Sequence, residues 1–348
     1  MKIIIATPIL YDSTSPFNHL FRDILEGLTQ KGHQLTHLLA VENKQDIDCT
    51  MGLFMECIPV ERKAAAHGNI ITRYINDSLT AFRMSHRIKK LQADVLFEDA
   101  CYSSHFTVRA AKRCGMQVVT MLQDVWPDNA VQSGLLREGS LLYRFFEYFQ
   151  QYVYKNSHRL ICISDDMKAF LVSKGVPEEK IEVIYNWGYT DETVDIPWEE
   201  NAFAKKYGLS SDIFYPIYAG NIGRMQNIEL VLQAAQRLQS RQDIRFLIIG
   251  SGARREAIQQ LAEEMELTNV QFLPFQPSEL ATSIYSAAGV NLIPLVPGGV
   301  KTALPSKTGI ILSCGRPVIF TFGSNTAFAE LLARTGGGVS VDPEDPQA

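Results

Sequence analysis

Short apolar runs alternate with helical stretches of about ten residues or more along nearly the whole chain, and that order admits few folds. In the first half, residues 3–6, 34–41, 94–98, 117–122, 159–164 and 181–185 read as strands. In the second half, 215–219, 246–249, 270–273, 290–293 and the end of the stretch 294–322 do so. Between them, 18–31, 141–154, 165–174, 228–239, 253–265 and 278–287 carry apolar positions at helical spacing or helix boundary signals. Continuous apolar strands joined by helices predict parallel sheets covered on both faces. The halves share this plan without repeating sequence. A chain of 348 residues with 46% apolar content can fill two cores. The expected domains are 1–186 and 207–348. Residues 187–206, rich in acids and holding Trp187, Gly188 and Pro197, are expected to link them.

Several function classes are excluded early. A net charge of −5 and a pI near 5.9 argue against nucleic acid as a partner. The six cysteines show no paired spacing, so neither a zinc cluster nor a disulfide scaffold is indicated; reduced cytoplasmic thiols are the expectation. The first apolar run is too short for a signal peptide, and no run reaches membrane-spanning length. No G-x-G-x-x-G with a downstream acid, no G-x-x-x-x-G-K-[ST] and no G-x-S-x-G occurs. The histidines show no metal spacing.

What remains is a set of glycine loops at predicted strand ends: Gly220 to Gly223, Gly250 to Gly252, and Gly298 with Gly299. In parallel sheets, ligands bind beyond the carboxyl ends of the strands. Just past Pro305, Ser306 is placed to cap a helix that Gly315 can end, and Lys301 and Lys307 flank its start. Backbone amides, a helix start and two ammonium groups together describe a cradle for a diphosphate. Each loop alone would read as a tight turn.

Two further stretches stay open between readings. Residues 61–90 are locally basic and carry Ile75, Leu79 and Phe82 at helical spacing, which suits a solvated helix face or a patch for anionic lipid. Residues 141–154, LLYRFFEYFQQYVY, suit core packing or an interfacial membrane helix.

The chain resembles bacterial glycosyltransferases of family 4, the branch acting in capsule, exopolysaccharide and O-antigen assembly. The residues that carry the resemblance are Lys31-Gly32-His33, Gln123-Asp124-Val125-Trp126-Pro127-Asp128, Ser157 to Ser164, Val183 to Trp187, Tyr218 to Gly223, Leu304-Pro305-Ser306-Lys307 and Gly315 to Ile319. The resemblance implies the GT-B fold: α/β, two Rossmann-like parallel-sheet domains facing across a cleft. It implies a retaining, metal-independent transfer of a hexosyl or N-acetylhexosaminyl group from a UDP- or GDP-linked sugar. The acceptor, lipid-linked or saccharide, would sit on the N-terminal domain and the donor on the C-terminal one. No cofactor is implied beyond the nucleotide sugar itself, and peripheral contact with the inner membrane surface is among the expected partners. Lys301 and Lys307 would stabilise the leaving diphosphate, with Gln123 and Asp124 at the sugar end. Gly220, Asn221, Gly223, Arg224, Gln226, Gly298, Gly299, Pro305 and Ser306 would hold the donor. Gly250, Ser251, Leu273 and Phe275 would line the base and ribose.

Departures from the family pattern accompany these expectations. The paired glutamates of many members would fall at Val300 and Thr308. Asn221 and Gln226 stand where Arg and Lys are common. The N-terminal loop lacks the usual Gly-Gly, leaving Ser13, Thr14 and Ser15 to reach the diphosphate. The resemblance also implies helices beyond residue 348, so a C-terminal truncation is expected. Two other readings stand beside the enzyme: a non-catalytic subunit that stabilises a partner transferase, and a nucleotide-sugar epimerase.

Overall fold

Ile3, Ile4, Ile5 and Ala6 are all buried, as a strand covered on both faces requires. They belong to the first strand of a computed structural model that describes residues 1–10, 18–41, 56–61, 70–188 and 194–345. The chain forms two compact units: Met1–Val131 with Leu136–Tyr185, and Gln132–Leu135 with Asn186–Ala348.

In chain order the first unit holds β1 (Lys2–Leu10), α1 (Asn18–Gln30), β2 (Gln34–Val41), β3 (Glu56–Glu61), α2 (Ile70–Ile88), β4 (Val95–Asp99) and α3 (His105–Arg113). It continues with β5 (Gln117–Leu122), α4 (Asp128–Gln132), α5 (Leu141–Asn156), β6 (Arg159–Cys162), α6 (Asp165–Ser173) and β7 (Ile181–Val183). The strands form one parallel sheet in the order β3-β2-β1-β4-β5-β6-β7. Residue alternation divides its two faces. Ile3, Ile5, Phe97 and Met121 pack with Phe21 and Leu25 of α1. Ile4, Ala6, Leu96 and Val118 pack with Met84 and Ile88 of α2, Val108 of α3 and Val153 of α5. Ser164 caps α6 as its sequence predicts, accepting from Met167 N–H at 3.1 Å. Ser140 caps α5 in the same way.

The second unit holds α7 (Ala202–Tyr207), β8 (Pro216–Ala219), α8 (Ile228–Arg237), β9 (Phe246–Ile249), α9 (Arg255–Glu264), β10 (Val270–Leu273) and α10 (Ala281–Ala287). It ends with β11 (Val290–Pro294), α11 (Lys307–Ser313), β12 (Val318–Thr321), α12 (Ala327–Thr335) and β13 (Gly338–Ser340). Its parallel sheet runs β10-β9-β8-β11-β12-β13. This order reverses direction between β8 and β11, and ligands of such sheets bind at that switch point. The equivalent point of the first sheet lies between β1 and β4.

Three local expectations are corrected. The stretch read as a linker contains a turn over Trp198–Glu200 and then α7, and both belong to the second unit. Asn201 explains this: its Oδ1 accepts from Ala204 N–H at 2.9 Å as an N-cap, and its Nδ2 donates to Ser283 O at 2.8 Å. Ser278 does not cap a long helix but opens a 3-10 turn before α10. Ser306 precedes α11 but makes no capping bond, because its own backbone is already right-handed helical where a cap needs an extended one. Thr308 donates to Pro305 O at 2.7 Å.

Candidate functional site

Lys307 is the first residue of α11, and its half-buried side chain reaches the switch point of the second sheet. Nζ donates to Ala219 O, the last residue of β8, at 2.9 Å. It also lies 3.9 Å from the centre of the Tyr218 ring, and 3.2 Å from where a Cβ on Gly220 would stand. Tyr218 is held in turn by donating its hydroxyl to Asn221 O at 2.5 Å. Burial disfavours the ammonium and lowers the Lys307 pKa to about 7. With its pKa near 7 the amine gains a proton readily when an anion approaches.

The glycine loops do come together, but largely by binding one another. A Cβ on Gly250 would collide with the carbonyl of Gly220, and one on Gly252 with the carbonyl of Ile222. Both glycines have φ near +150°, where side chains are strained. Gly220 N–H donates to Ile249 O at 2.9 Å, Ile222 N–H to Ser251 O at 2.7 Å and Gly223 N–H to Gln226 Oε1 at 3.1 Å. Three of the four amides expected to cradle a diphosphate are therefore committed inside the protein. Gln226 braces its own loop. Helix α11 is seven residues long, so its macrodipole adds less than expected.

The remaining candidates divide clearly. Arg224 and Asn221 are exposed at the β8 loop. Gly298, with φ +75°, starts a turn over Gly299–Lys301. Lys301 is exposed on that turn, whereas Val300 is buried in it. Thr308 is also buried, so neither residue presents a side chain in the manner of a glutamate. Val296 N–H donates to Met225 O at 3.0 Å and ties the β8 and β11 loops together. Leu273 is buried at the end of β10, and Phe275 beyond it is exposed. Ser15, Ser13 and Thr14 lie outside the described residues.

Two side chains of the second unit were missed. Tyr218 sits under Lys307, and a tyrosine directly before Ala-Gly-Asn at a strand end was its signal. Arg255, at the start of α9, donates through Nη1 to Gly250 O and, at 2.8 Å, to Leu273 O. It locks the turn that was expected to face the base.

In the first unit, Asp124 lies just past β5, exposed, with Gln123 half-buried beside it. Surrounding protein raises the Asp124 carboxyl to about 6. Its neighbour across the sheet end is Asp99, raised to about 7 by burial and by the charge of Asp124. Glu98, on the opposite face, is fully buried and raised to about 8, chiefly by desolvation. Thr107 Oγ1 donates to Glu98 Oε1 at 2.8 Å. Phe97-Glu98-Asp99 is not among the expected site residues, although acids closing an apolar run are the signal for such a group.

Two Rossmann-like parallel-sheet units, the second with its loops gathered at the sheet switch point beside a half-buried lysine, are the two halves of the GT-B fold of glycosyltransferases. Comparisons with known proteins agree. A model of glycosyltransferase family 4 matches residues 18–191, and one for glycosyl transferases group 1 matches residues 215–348. The chain belongs to glycosyltransferase family 4. It is 26% identical over 234 residues to WbjE of Pseudomonas aeruginosa, named a glycosyltransferase; the match covers 67% of this chain and 58% of that one. It is 27% identical over 248 residues to WcaI of Escherichia coli K12, named for colanic acid biosynthesis, covering 68% and 59%. Both names are provisional, and in each case the matched stretch is less than two-thirds of the relative's length. Among solved structures, Anabaena HepE in complex with UDP-glucose superposes with a TM-score of 0.70 at 13% identity, over all of this chain and 87% of that one.

Proposed function

We propose that the protein transfers a sugar from a nucleotide sugar, UDP- or GDP-linked, to a lipid-linked or saccharide acceptor in surface-polysaccharide assembly. The donor occupies the second unit at the β8–β11 switch point. The observation that carries this reading is Lys307, whose Nζ is held 2.9 Å from Ala219 O at the end of β8. In the transfer, the bond between the anomeric carbon and the diphosphate oxygen breaks, and the diphosphate leaves with its negative charge. The acceptor hydroxyl oxygen bonds to the same carbon on the same face and passes its proton to the departing diphosphate oxygen, so the sugar's configuration is retained. Lys307, with the exposed Lys301 and Arg224 as supporting cations, meets the departing charge, and no metal is required. Gln123 and Asp124 belong to the sugar end. The enzyme works in the cytoplasm and makes peripheral contact with the membrane that carries a lipid-linked acceptor.

A thermal-shift panel of UDP-, GDP- and TDP-sugars in a chelating buffer tests the reading. One donor should raise the melting temperature, because saturation at about a hundred times Kd stabilises the native state by about 2.7 kcal/mol. Lys307→Ala should abolish the shift. No shift with any nucleotide sugar, with or without divalent ions, overturns the proposal; a shift that requires the ions overturns its metal-independent part.

A further inference from the structure

Helices α2 and α5 each bury one face in the core and carry an apolar stripe on the other. In α2, Asp77, Ala81, Met84 and Ile88 face inward at helical spacing. On the opposite side Ile75, Leu79 and Phe82 are 52%, 50% and 48% exposed. In α5, Phe146, Gln150 and Val153 face inward, while Leu141, Phe145 and Tyr148 are 86%, 44% and 70% exposed. Both outer stripes follow the i, i+4, i+7 spacing of a helix face. A helix that meets only water on its outer side has no use for such a stripe.

A chain of ring contacts joins the two outer stripes across α3. Helix α3 packs between α2 and α5. Ring contacts run from Phe82 to Phe106 at 5.9 Å, from Phe106 to His105 at 4.2 Å and from His105 to Phe149 at 4.1 Å. They continue from Phe149 to Phe145 at 5.0 Å and from Phe145 to Tyr74 at 5.8 Å, returning to α2. Exposed basic residues lie on or next to the same three helices: Arg87 in α2 with Lys89 and Lys90 just beyond it, Arg109, Lys112 and Arg113 in α3, and Arg144 in α5. The two carboxylates on these helices are engaged elsewhere. Asp77 is buried and accepts from the Tyr102 hydroxyl, and Glu147 pairs with Lys174 at 3.0 Å.

We propose that the α2–α3–α5 face docks flat on the anionic surface of a lipid bilayer. Its aliphatic and aromatic side chains enter the boundary between headgroups and acyl chains, and its basic residues meet lipid phosphates. The face is basic on a chain whose net charge is −5, which favours anionic lipid over a second copy of this chain. Among the described residues no helix is long and apolar enough to cross a membrane, so the contact lies along the surface. This names the surface for the membrane contact in the proposed function and rests on that part of it alone.

The test is co-sedimentation of the full chain with phosphatidylcholine vesicles, with and without phosphatidylglycerol, at low and high salt. Binding should require the anionic lipid and weaken with salt, since each basic side chain near such a surface contributes about fivefold in affinity. The combined variant Leu79→Glu, Leu141→Glu, Tyr148→Glu should lose at least about tenfold in binding. Its melting temperature should be unchanged, because all three positions are half exposed or more. Arg87→Glu with Lys90→Glu should remove the preference for phosphatidylglycerol. Failure to bind either vesicle, binding that the variants leave intact, or a dimer in sedimentation equilibrium that the variants dissolve would overturn the proposal. Nucleotide-sugar binding measured on the same proteins in solution separates this outcome from failure of the transferase reading.

Discussion

The ammonium of Lys307 stands 3.9 Å from the centre of the Tyr218 ring while donating to the carbonyl of Ala219. One cation thus joins α11 to the end of β8, the place where the sheet order turns. The π face and the carbonyl both favour its charge, yet desolvation outweighs them and leaves the pKa near 7.

Donor binding should therefore depend on pH. Below about pH 7 the lysine carries its proton already; above it, the bound diphosphate must draw one from solution. Affinity for the nucleotide sugar should weaken by about tenfold between roughly pH 7 and pH 8.5. Calorimetry in buffers of different ionisation enthalpy should show proton uptake. Lys307→Arg keeps its charge across this range and should flatten the profile. Lys307→Met should bind poorly throughout.

Gly250→Ala should damage the donor site without touching a charge. The added Cβ would meet the carbonyl of Gly220, and φ of +144° is one that alanine adopts only with strain. The two loops would have to separate, and the Ile222 to Ser251 bond at 2.7 Å is the first at risk. Loss of about 1–3 kcal/mol in stability is expected, from overpacking and backbone strain together. Chemical denaturation measures it, and a titration should show weaker nucleotide-sugar binding as well. Gly323→Ala, also at positive φ but with no atom within 4 Å of its Cβ, separates strain from collision.

The sheets and their helices were legible because apolar runs such as Ile3 to Ile5 and Phe246 to Ile249 pack on both faces, and burial imposes their composition. Ser164 was legible for a similar reason: a cap bonds within one turn of its own position. The roles of the glycine loops were not. Sequence gives each glycine its freedom of φ but does not say which amides are already taken by a neighbouring loop. Gly220 N–H is taken by Ile249, nearly thirty residues on. Arg255 and Tyr218 were hidden in the same way, since Leu273 and Lys307, which they respectively meet, come from remote parts of the chain. Asn201 was lost in a stretch of acids that reads as linker, although it bonds to Ser283 across 82 residues.

Glu98 makes a prediction for stability. Its carboxyl pKa rises from 4.5 to about 8 on folding, so the native state binds the proton more tightly than the unfolded chain. Between those values the unfolded chain carries fewer protons, and stability falls as pH rises. Glu98→Gln keeps an acceptor for the Thr107 hydroxyl at 2.8 Å and removes the titration. The variant should melt higher than wild type at about pH 8 and differ least at about pH 5, where Glu98 is already neutral in the folded protein. A higher melting temperature for wild type at the alkaline end would show that the Glu98 charge is satisfied in the fold.

Asp124→Asn separates chemistry from donor binding. Asp124 belongs to the first unit, whereas the donor reading rests on Lys307 in the second. The substitution preserves shape, so nucleotide-sugar affinity should change by less than about twofold while the rate of transfer falls by about a hundredfold. Wild-type kcat should rise through about pH 6 as Asp124 ionises, and the variant should lose that limb. Asp99 is the control for this assignment. Burial, and after it the charge of Asp124, raises it to about 7, so replacing Asp124 by Asn removes a neighbouring negative charge and should shift any Asp99 ionisation downward. A limb that survives at lower pH in Asp124→Asn would give the role to Asp99. A limb that vanishes with donor binding intact keeps it with Asp124.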